Sequence, residues 1–294
     1  MNSELKSVKE IIKKEIKYLL QFYPYNIKRF IDTKLLHASS ILTFIDNKSK
    51  IESKFLNRII NLMAGIELLA VGVNLHSFNP EDFSILINNL GQVSDKVDKS
   101  GIEKNYTLDL LFGDIFYSRA VIYILRYGDF HLFNSILDSL KSVHKSRLFL
   151  LQKLVETINR DKDSFKELNK IGKHPLDYEK QIIEIFEENE GLITGMNSLL
   201  KTSFFIGWGI FADDNIQRFP YDILMDFIFL KTFNDLEIFF TNLPGDFYFL
   251  KNIPYIKKKK QFFKEELNYR IKNLKSLNVK NNFKSLMKLY EKKY

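Results

Sequence analysis

Along most of the chain, apolar residues recur at i, i+3, i+4 and i+7, which is the spacing of amphipathic helices. No stretch alternates apolar and polar residues for long enough to build a sheet. The six prolines can each stand at a turn or in the first turn of a helix. The pattern predicts helices over 3–22, 26–46, 51–76, 80–95, 104–127, 129–158, 163–170, 175–188, 190–212, 219–241, 262–273 and 279–292. Because no linker rich in Gly, Ser or Pro divides residues 1–294, we expect one all-α helical bundle.

Three segments are apolar on more than one side, namely 59–76, 108–125 and 191–212. A helix of that kind needs neighbours on several faces, so we expect these three to form the centre of the bundle. The third segment contains four glycines, each of which costs about 1 kcal/mol relative to alanine inside a helix. These glycines predict close packing or a kink.

The charge is unevenly distributed. The chain has 44 Lys and Arg against 36 Asp and Glu, a net +8. Residues 251–294 hold 14 of the basic residues and 3 Glu, a net +11, so the preceding part is −3. This basic C-terminal helical tail indicates a solvated surface, or contact with a diphosphate or an anionic membrane. Nucleic acid is not expected, because the rest of the chain is slightly acidic and carries no known nucleic-acid motif.

Several chemistries are excluded by composition. The chain has no Cys, which removes disulfides, thiolate nucleophiles and Cys-bound zinc, and which fits a reducing compartment. The five histidines form no i, i+4 pair that would suggest a metal site on a helix. No uninterrupted apolar run reaches the roughly 18 residues of a membrane span, and the N-terminal segment lacks a signal-peptide core. We expect a cytoplasmic protein that is at most peripheral to a membrane.

Two phrases in the predicted central helices carry a family resemblance. Glu67 opens a Glu-Leu-Leu phrase that leads through small residues to His76. About thirty-five residues further on, a Leu-x-Gly-Asp phrase ends in Gly113 and Asp114, and Arg119 follows before an alanine. With the two short helices at the C-terminus, this order resembles the trans-isoprenyl diphosphate synthases, which are all-helical prenyltransferases. We expect Gly113 and Asp114 to be a packing and buried-polar feature rather than catalytic groups.

The residues that such an enzyme needs for its first metal site are missing. The resemblance implies Mg²⁺ held between an allylic diphosphate and two facing DDxxD motifs, since the departing pyrophosphate must be neutralised. Directly after His76, where the first motif belongs, stand Ser77 and Phe78, which cannot hold Mg²⁺ by charge. In the family, a Gly-Lys-Arg motif binds the second, homoallylic diphosphate. That motif belongs near 31–37, where only Lys34 matches. The first motif is therefore absent, and the second diphosphate site is reduced.

The second aspartate motif has two possible positions, both incomplete. Asp213 and Asp214 form the leading pair without a final acid, and such a pair just after a helix end is more often a solvated cap. Asn234, Asp235 and Glu237 are the alternative, favoured because a full helix then separates the motif from the glycine-rich helix. Neither position makes a complete site, so we expect no metal and no cofactor bound by this chain.

This pattern resembles component I, the small subunit of heterodimeric heptaprenyl or hexaprenyl diphosphate synthases, including in the stretch IDTKLLHASSILTF. The resemblance implies a non-catalytic subunit in isoprenoid or menaquinone biosynthesis. Its catalytic partner would supply both aspartate motifs and Mg²⁺. One alternative is a divergent stand-alone prenyltransferase or terpene-synthase-like enzyme that uses the residual acids. Another is an isoprenoid-binding or membrane-peripheral protein that keeps only the fold.

Overall fold

Helices make up every regular element in the described part of the chain. The computed structural model describes residues 2–20, 34–45, 51–76, 99–160, 176–211, 219–242 and 253–291. The α-helices are α1 (Asn2–Leu20), α2 (Leu36–Ile41), α3 (Ser53–Leu75), α4 (Lys99–Leu125), α5 (Phe130–Arg160), α6 (Leu176–Glu188), α7 (Glu190–Thr194), α8 (Ser198–Phe211), α9 (Tyr221–Thr241), α10 (Pro254–Lys272) and α11 (Leu277–Glu291). Two 3₁₀ turns, Leu42–Phe44 and Gly195–Asn197, follow α2 and α7. The all-α prediction is confirmed.

Several predicted helices have different boundaries. The helix expected over 26–46 does not include Lys34 and Leu35, because Leu35 takes a left-handed conformation with φ 49° and α2 begins only at Leu36. The single helix expected over 190–212 is interrupted by the 3₁₀ turn at Gly195–Asn197. A Cβ at Gly195 would lie 2.2 Å from Ser146 Oγ on α5, so the interruption occurs where the two backbones approach closely. Helix α10 begins at Pro254 rather than at 262, because proline is favoured in the first turn and the lysine run continues the helix. The helices predicted over 80–95 and 163–170 lie outside the described residues.

Helices α3 and α4 pack against each other along their lengths, and small residues allow the close approach. A Cβ at Gly65 would lie 2.7 Å from Ile124 Cγ1, and one at Gly72 would lie 2.6 Å from the Tyr117 ring. Helix α8 approaches α2 in the same way, since a Cβ at Gly207 would lie 2.2 Å from Ile41 O. The predicted close packing of the glycine-rich segment is therefore present at two of its glycines, whereas Gly191 and Gly209 have open space around them.

Within the described residues, one helix is long and apolar enough to cross a membrane. This is α3, but 72% of its most apolar window is buried inside the protein. Leu62, Met63 and Leu68 on this helix are fully buried against the neighbouring helices. The burial is that of a core helix.

One side of α4 is apolar and exposed. Leu111, Ile122 and Leu125 are 54%, 44% and 42% exposed, and with Ile115 and Ser118 they form a strip on the side opposite the α3 contact. We call these five residues the α4 outer strip. From Leu111 to Leu125 the strip spans 14 residues, or about 21 Å of helix. The expectation that neighbours cover this helix on several faces holds where α3, α1 and α5 contact it, but it is wrong at the α4 outer strip.

The basic tail is part of the bundle. Helix α10 packs along α9, where Phe263 stacks on Phe229 with ring centroids 4.6 Å apart. Helix α11 inserts Phe283 against Phe44 and Phe204, with centroid distances of 5.9 and 6.0 Å. The inner faces of the two C-terminal helices therefore belong to the core, and their exposed lysines stand on the outer faces.

Candidate functional site

A cavity of about 310 Å³ lies where α3, α5, α8 and α9 converge. Its polar wall brings together three cations, Lys34, Arg147 and Lys231, with two carboxylates, Glu67 and Asp235. Neutral polar residues, among them Asn74, Asn197 and Asn234, and apolar residues line the rest of the cavity. The cavity is large enough for a small molecule, and the charges on its wall suit an anionic group better than a cation.

Asp235 is neutralised from its own helix. Lys231 Nζ lies 2.5 Å from both carboxylate oxygens of Asp235, one helical turn later on α9. Asn197 Nδ2 approaches the same carboxylate at 3.4 Å, and Asn234, the neutral neighbour of Asp235, also lines the cavity. An ammonium group thus occupies the coordination space that a divalent cation would need, so these residues do not fit Mg²⁺.

Glu237 is not part of the cavity wall. Its carboxylate pairs with Lys260 on α10, so the lysine run of the tail contributes the counter-ion. Of the favoured second-motif residues, Asn234 and Asp235 lie together at the cavity, whereas Glu237 serves the contact between α9 and α10. Within the described residues there is no group of three His, Asp or Glu side chains that could hold a metal ion.

The two phrases that carry the family resemblance touch each other. His76, just after α3, places Nε2 3.0 Å from Leu110 O and 3.4 Å from Asp114 Oδ1 on α4. A Cβ at Gly113 would lie 2.1 Å from the His76 ring, so glycine is required for the contact. The packing role expected for Gly113 fits this contact. Asp114 is mostly exposed, so the expectation of a buried polar group is wrong there.

Beside His76 lies a cluster of rings that sequence analysis missed. The hydroxyl of Tyr117 is 2.9 Å from His144 Nε2, and the His76 and Tyr117 ring centroids are 4.8 Å apart. Burial lowers the pKa of His144, and the nearby Arg147 and His76 lower it further. Burial also raises the pKa of Tyr117 above its ordinary value. Both groups are therefore neutral at pH 7, and they pack beside His76 at the end of α3.

Two of the cavity cations, Lys34 and Arg147, donate hydrogen bonds to backbone carbonyl oxygens near helix ends. Lys34 Nζ donates to Tyr290 O near the C-terminus of α11, at 3.0 Å, where the helix dipole favours a cation. Burial lowers the pKa of Lys34, Lys231 lowers it further, and Asp235 opposes both. Arg147 donates to Val73 O at 2.7 Å, and burial lowers its pKa against the opposing charge of Asp235. Spacing could have revealed Lys231, four residues before Asp235 on a predicted helix, but nothing in the sequence marks Arg147.

Glu67, the first residue of the Glu-Leu-Leu phrase, is buried and supports α2. Its Oε1 accepts a hydrogen bond from the Ala38 backbone N–H at 2.9 Å, and its Oε2 lies 3.5 Å from His37 Nδ1. The first turn of α2 has no side-chain cap of its own and follows Leu35 in the left-handed region, with φ 49°. The carboxylate of Glu67 therefore satisfies a backbone donor at the start of α2, which is a structural task.

Arg119 lies away from the cavity. Its guanidinium makes two hydrogen bonds to Glu15 on α1, of 2.6 and 2.9 Å, and Tyr123 OH adds a third at 2.6 Å. Burial acts to raise the pKa of Glu15, but the hydrogen bonds outweigh it and hold that pKa below its ordinary value. Arg119 thus ties α1 to α4. The candidate residues Ser77, Phe78, Asp213 and Asp214 lie outside the described residues.

Comparison with known proteins identifies the fold. The fold is that of the all-α prenyl synthases: it matches the crystal structure of octaprenyl pyrophosphate synthase from Helicobacter pylori with a TM-score of 0.54. The match covers 98% of this chain and 99% of that one, at 12% sequence identity. No protein-family profile matches the chain, and a search of curated proteins finds no match. The likeness is therefore one of fold across the whole length of both chains.

Proposed function

We propose that this protein is a non-catalytic subunit of a two-component polyprenyl diphosphate synthase. The partner supplies both aspartate motifs and Mg²⁺, and adds isopentenyl diphosphate units to an allylic primer such as farnesyl diphosphate. This chain stabilises the partner and influences the length of the product, in the hepta- or hexaprenyl range. The observation that carries the proposal is the Lys231 ammonium on Asp235, which replaces a metal-binding acid by an internal ion pair.

The surface of α4 supports the association of this chain with a partner subunit. Three large apolar side chains of the α4 outer strip, Leu111, Ile122 and Leu125, are open to water, and aligned exposed apolar residues of this kind are typical of a subunit contact. The strip is bordered by the charged residues Asp114 and Arg126, as the rim of an interface is. We therefore assign this strip to the partner subunit.

Metal-dependent ligand binding tests the loss of catalysis. Isothermal titration of the purified chain with a bisphosphonate analogue, in the presence and absence of Mg²⁺, should give no Mg²⁺-dependent binding. An active site of its own would give such binding, with the affinity falling on Asp235→Asn or on Asp214→Asn. That result would favour the stand-alone enzyme and overturn the subunit role.

Association through α4 is tested by a charge inserted into the strip. The variant Ile122→Asp should abolish co-purification with a prenyl synthase subunit that has intact aspartate motifs and comes from the same genome. Leu277→Asp, at an exposed apolar position on α11, is the matched control and should co-purify like the wild type. Equal co-purification of both variants would place the interface elsewhere.

A further inference from the structure

One face of α10 combines exposed aromatic rings with lysines. Phe262 is 52% and Tyr269 is 66% exposed, and the two are seven residues apart, which places them two turns apart on the same side of the helix. Lys258 lies one turn before Phe262, and Lys272 lies one turn after Tyr269, and both are exposed. We call these four residues the α10 outer face.

The helix cannot rotate to bury these rings. Its inner side is fixed by Phe263 and Leu267, which are buried against the core. Arg270 Nε lies 2.7 Å from Asp226 Oδ2 on α9, and Arg270 NH1 lies 3.0 Å from Asp222. These contacts fix the orientation of α10, so the α10 outer face points away from the core.

The two C-terminal helices carry an excess of positive charge. Residues 253–291 contain eleven Lys and Arg against three Glu. Of the acids, Glu291 pairs with Lys264, and Glu266 lies 3.6 Å from Arg270. Glu265 lies between the two rings and accepts a hydrogen bond from Gln261 at 2.5 Å. It offsets one lysine, so the α10 outer face and Lys275 behind it keep a net positive charge.

We infer that the α10 outer face binds an anionic lipid surface, with Phe262 and Tyr269 entering the headgroup region and the lysines contacting lipid phosphates. Helices that lie in the membrane interface carry aromatic residues on one side with Lys and Arg around them. Each lysine near an anionic leaflet raises the partition coefficient roughly fivefold. A purely solvated face gains nothing from exposed rings, and a nucleic-acid surface is disfavoured by the net −3 charge of the remaining chain.

Co-sedimentation of the full chain with vesicles tests this inference, and the test is independent of the subunit role because it needs no partner. Phosphatidylcholine vesicles containing phosphatidylglycerol should bind the protein, and pure phosphatidylcholine vesicles should bind it far less. The double variant Phe262→Ser and Tyr269→Ser should lower the partition coefficient roughly tenfold, since both rings leave the interface. Phe130→Ser, which removes a 73% exposed ring from α5, is the matched control and should bind like the wild type.

Three outcomes would overturn the inference. The first is equal binding to both kinds of vesicle, and the second is unchanged binding of the double variant. The third is tighter binding to duplex DNA than to anionic vesicles at the same salt concentration. An unchanged circular dichroism spectrum shows that each variant is folded, which is expected because the substituted rings lie outside the core.

Discussion

Asp226 is the carboxyl group whose burial has the clearest consequence for pH. Burial raises its pKa to about 6 although Arg270 opposes the shift. Because the raised pKa belongs to the folded state, this group lowers the free energy of unfolding as the pH rises from about 4 through 6. Asp226→Asn lacks that contribution, so its stability relative to wild type should improve by on the order of 1–3 kcal/mol between pH 4.5 and pH 7.5. Urea denaturation at the two pH values measures the difference, and a constant difference would contradict it.

Gly113 allows His76 to contact α4, and this can be tested by adding one methyl group. Gly113→Ala places a Cβ against the His76 ring, and overpacking of this kind costs about 1–3 kcal/mol. Gly209→Ala on α8 is the matched control, because a Cβ there meets nothing within 4 Å. The control should be stabilised by about 1 kcal/mol through helix propensity. Thermal denaturation measures the change in melting temperature of each variant. A shift of both melting temperatures in the same direction would refute the packing argument.

At the level of elements, the buried carboxylate of Glu15 adds polar contacts with α4 to the apolar packing of α1. Glu15 has two partners, Arg119 and Tyr123, and Arg119→Ala removes the charged one. Loss of the charged partner of a buried group destabilises the fold by about 1–3 kcal/mol. Hydrogen exchange should therefore rise across α1 before it rises in α3. Lys153→Ala, which removes an exposed pair with Glu156, should leave α1 protected. Equal protection of α1 in both variants would show that apolar packing alone holds the helix.

Helix α4 also shows where apolar patterning is ambiguous. Its apolar character predicted a helix covered on several sides, and α3, α1 and α5 do contact it, but Leu111 and Ile122 remain exposed. A sequence gives the same apolar signal for a side that is buried and for one that stays exposed. The glycines of 191–212 predicted close packing or a kink, but which of them would interrupt the helix depends on the approach of Ser146 from a distant helix.

Across the whole molecule, helix period and breakers were sufficient for the all-α architecture, since burial follows local spacing. The site could be predicted only in part. Spacing along α9 places Asp235, but its pairing with Lys231 and the meeting with Lys34 and Arg147 depend on tertiary structure. Ser77 and Phe78, where the resemblance places the first motif, offer no carboxylate to hold Mg²⁺ by charge, and because they lie outside the described residues this expectation stays a prediction.

The central claim is that this chain supports catalysis without performing it. The most direct measurement is the incorporation of labelled isopentenyl diphosphate onto farnesyl diphosphate, with Mg²⁺, by three samples. These are this chain alone, a prenyl synthase subunit with intact aspartate motifs from the same genome, and the two mixed. The account predicts long-chain product from the mixture and neither chain active alone. Long-chain product from this chain by itself, or no gain on mixing, would contradict it.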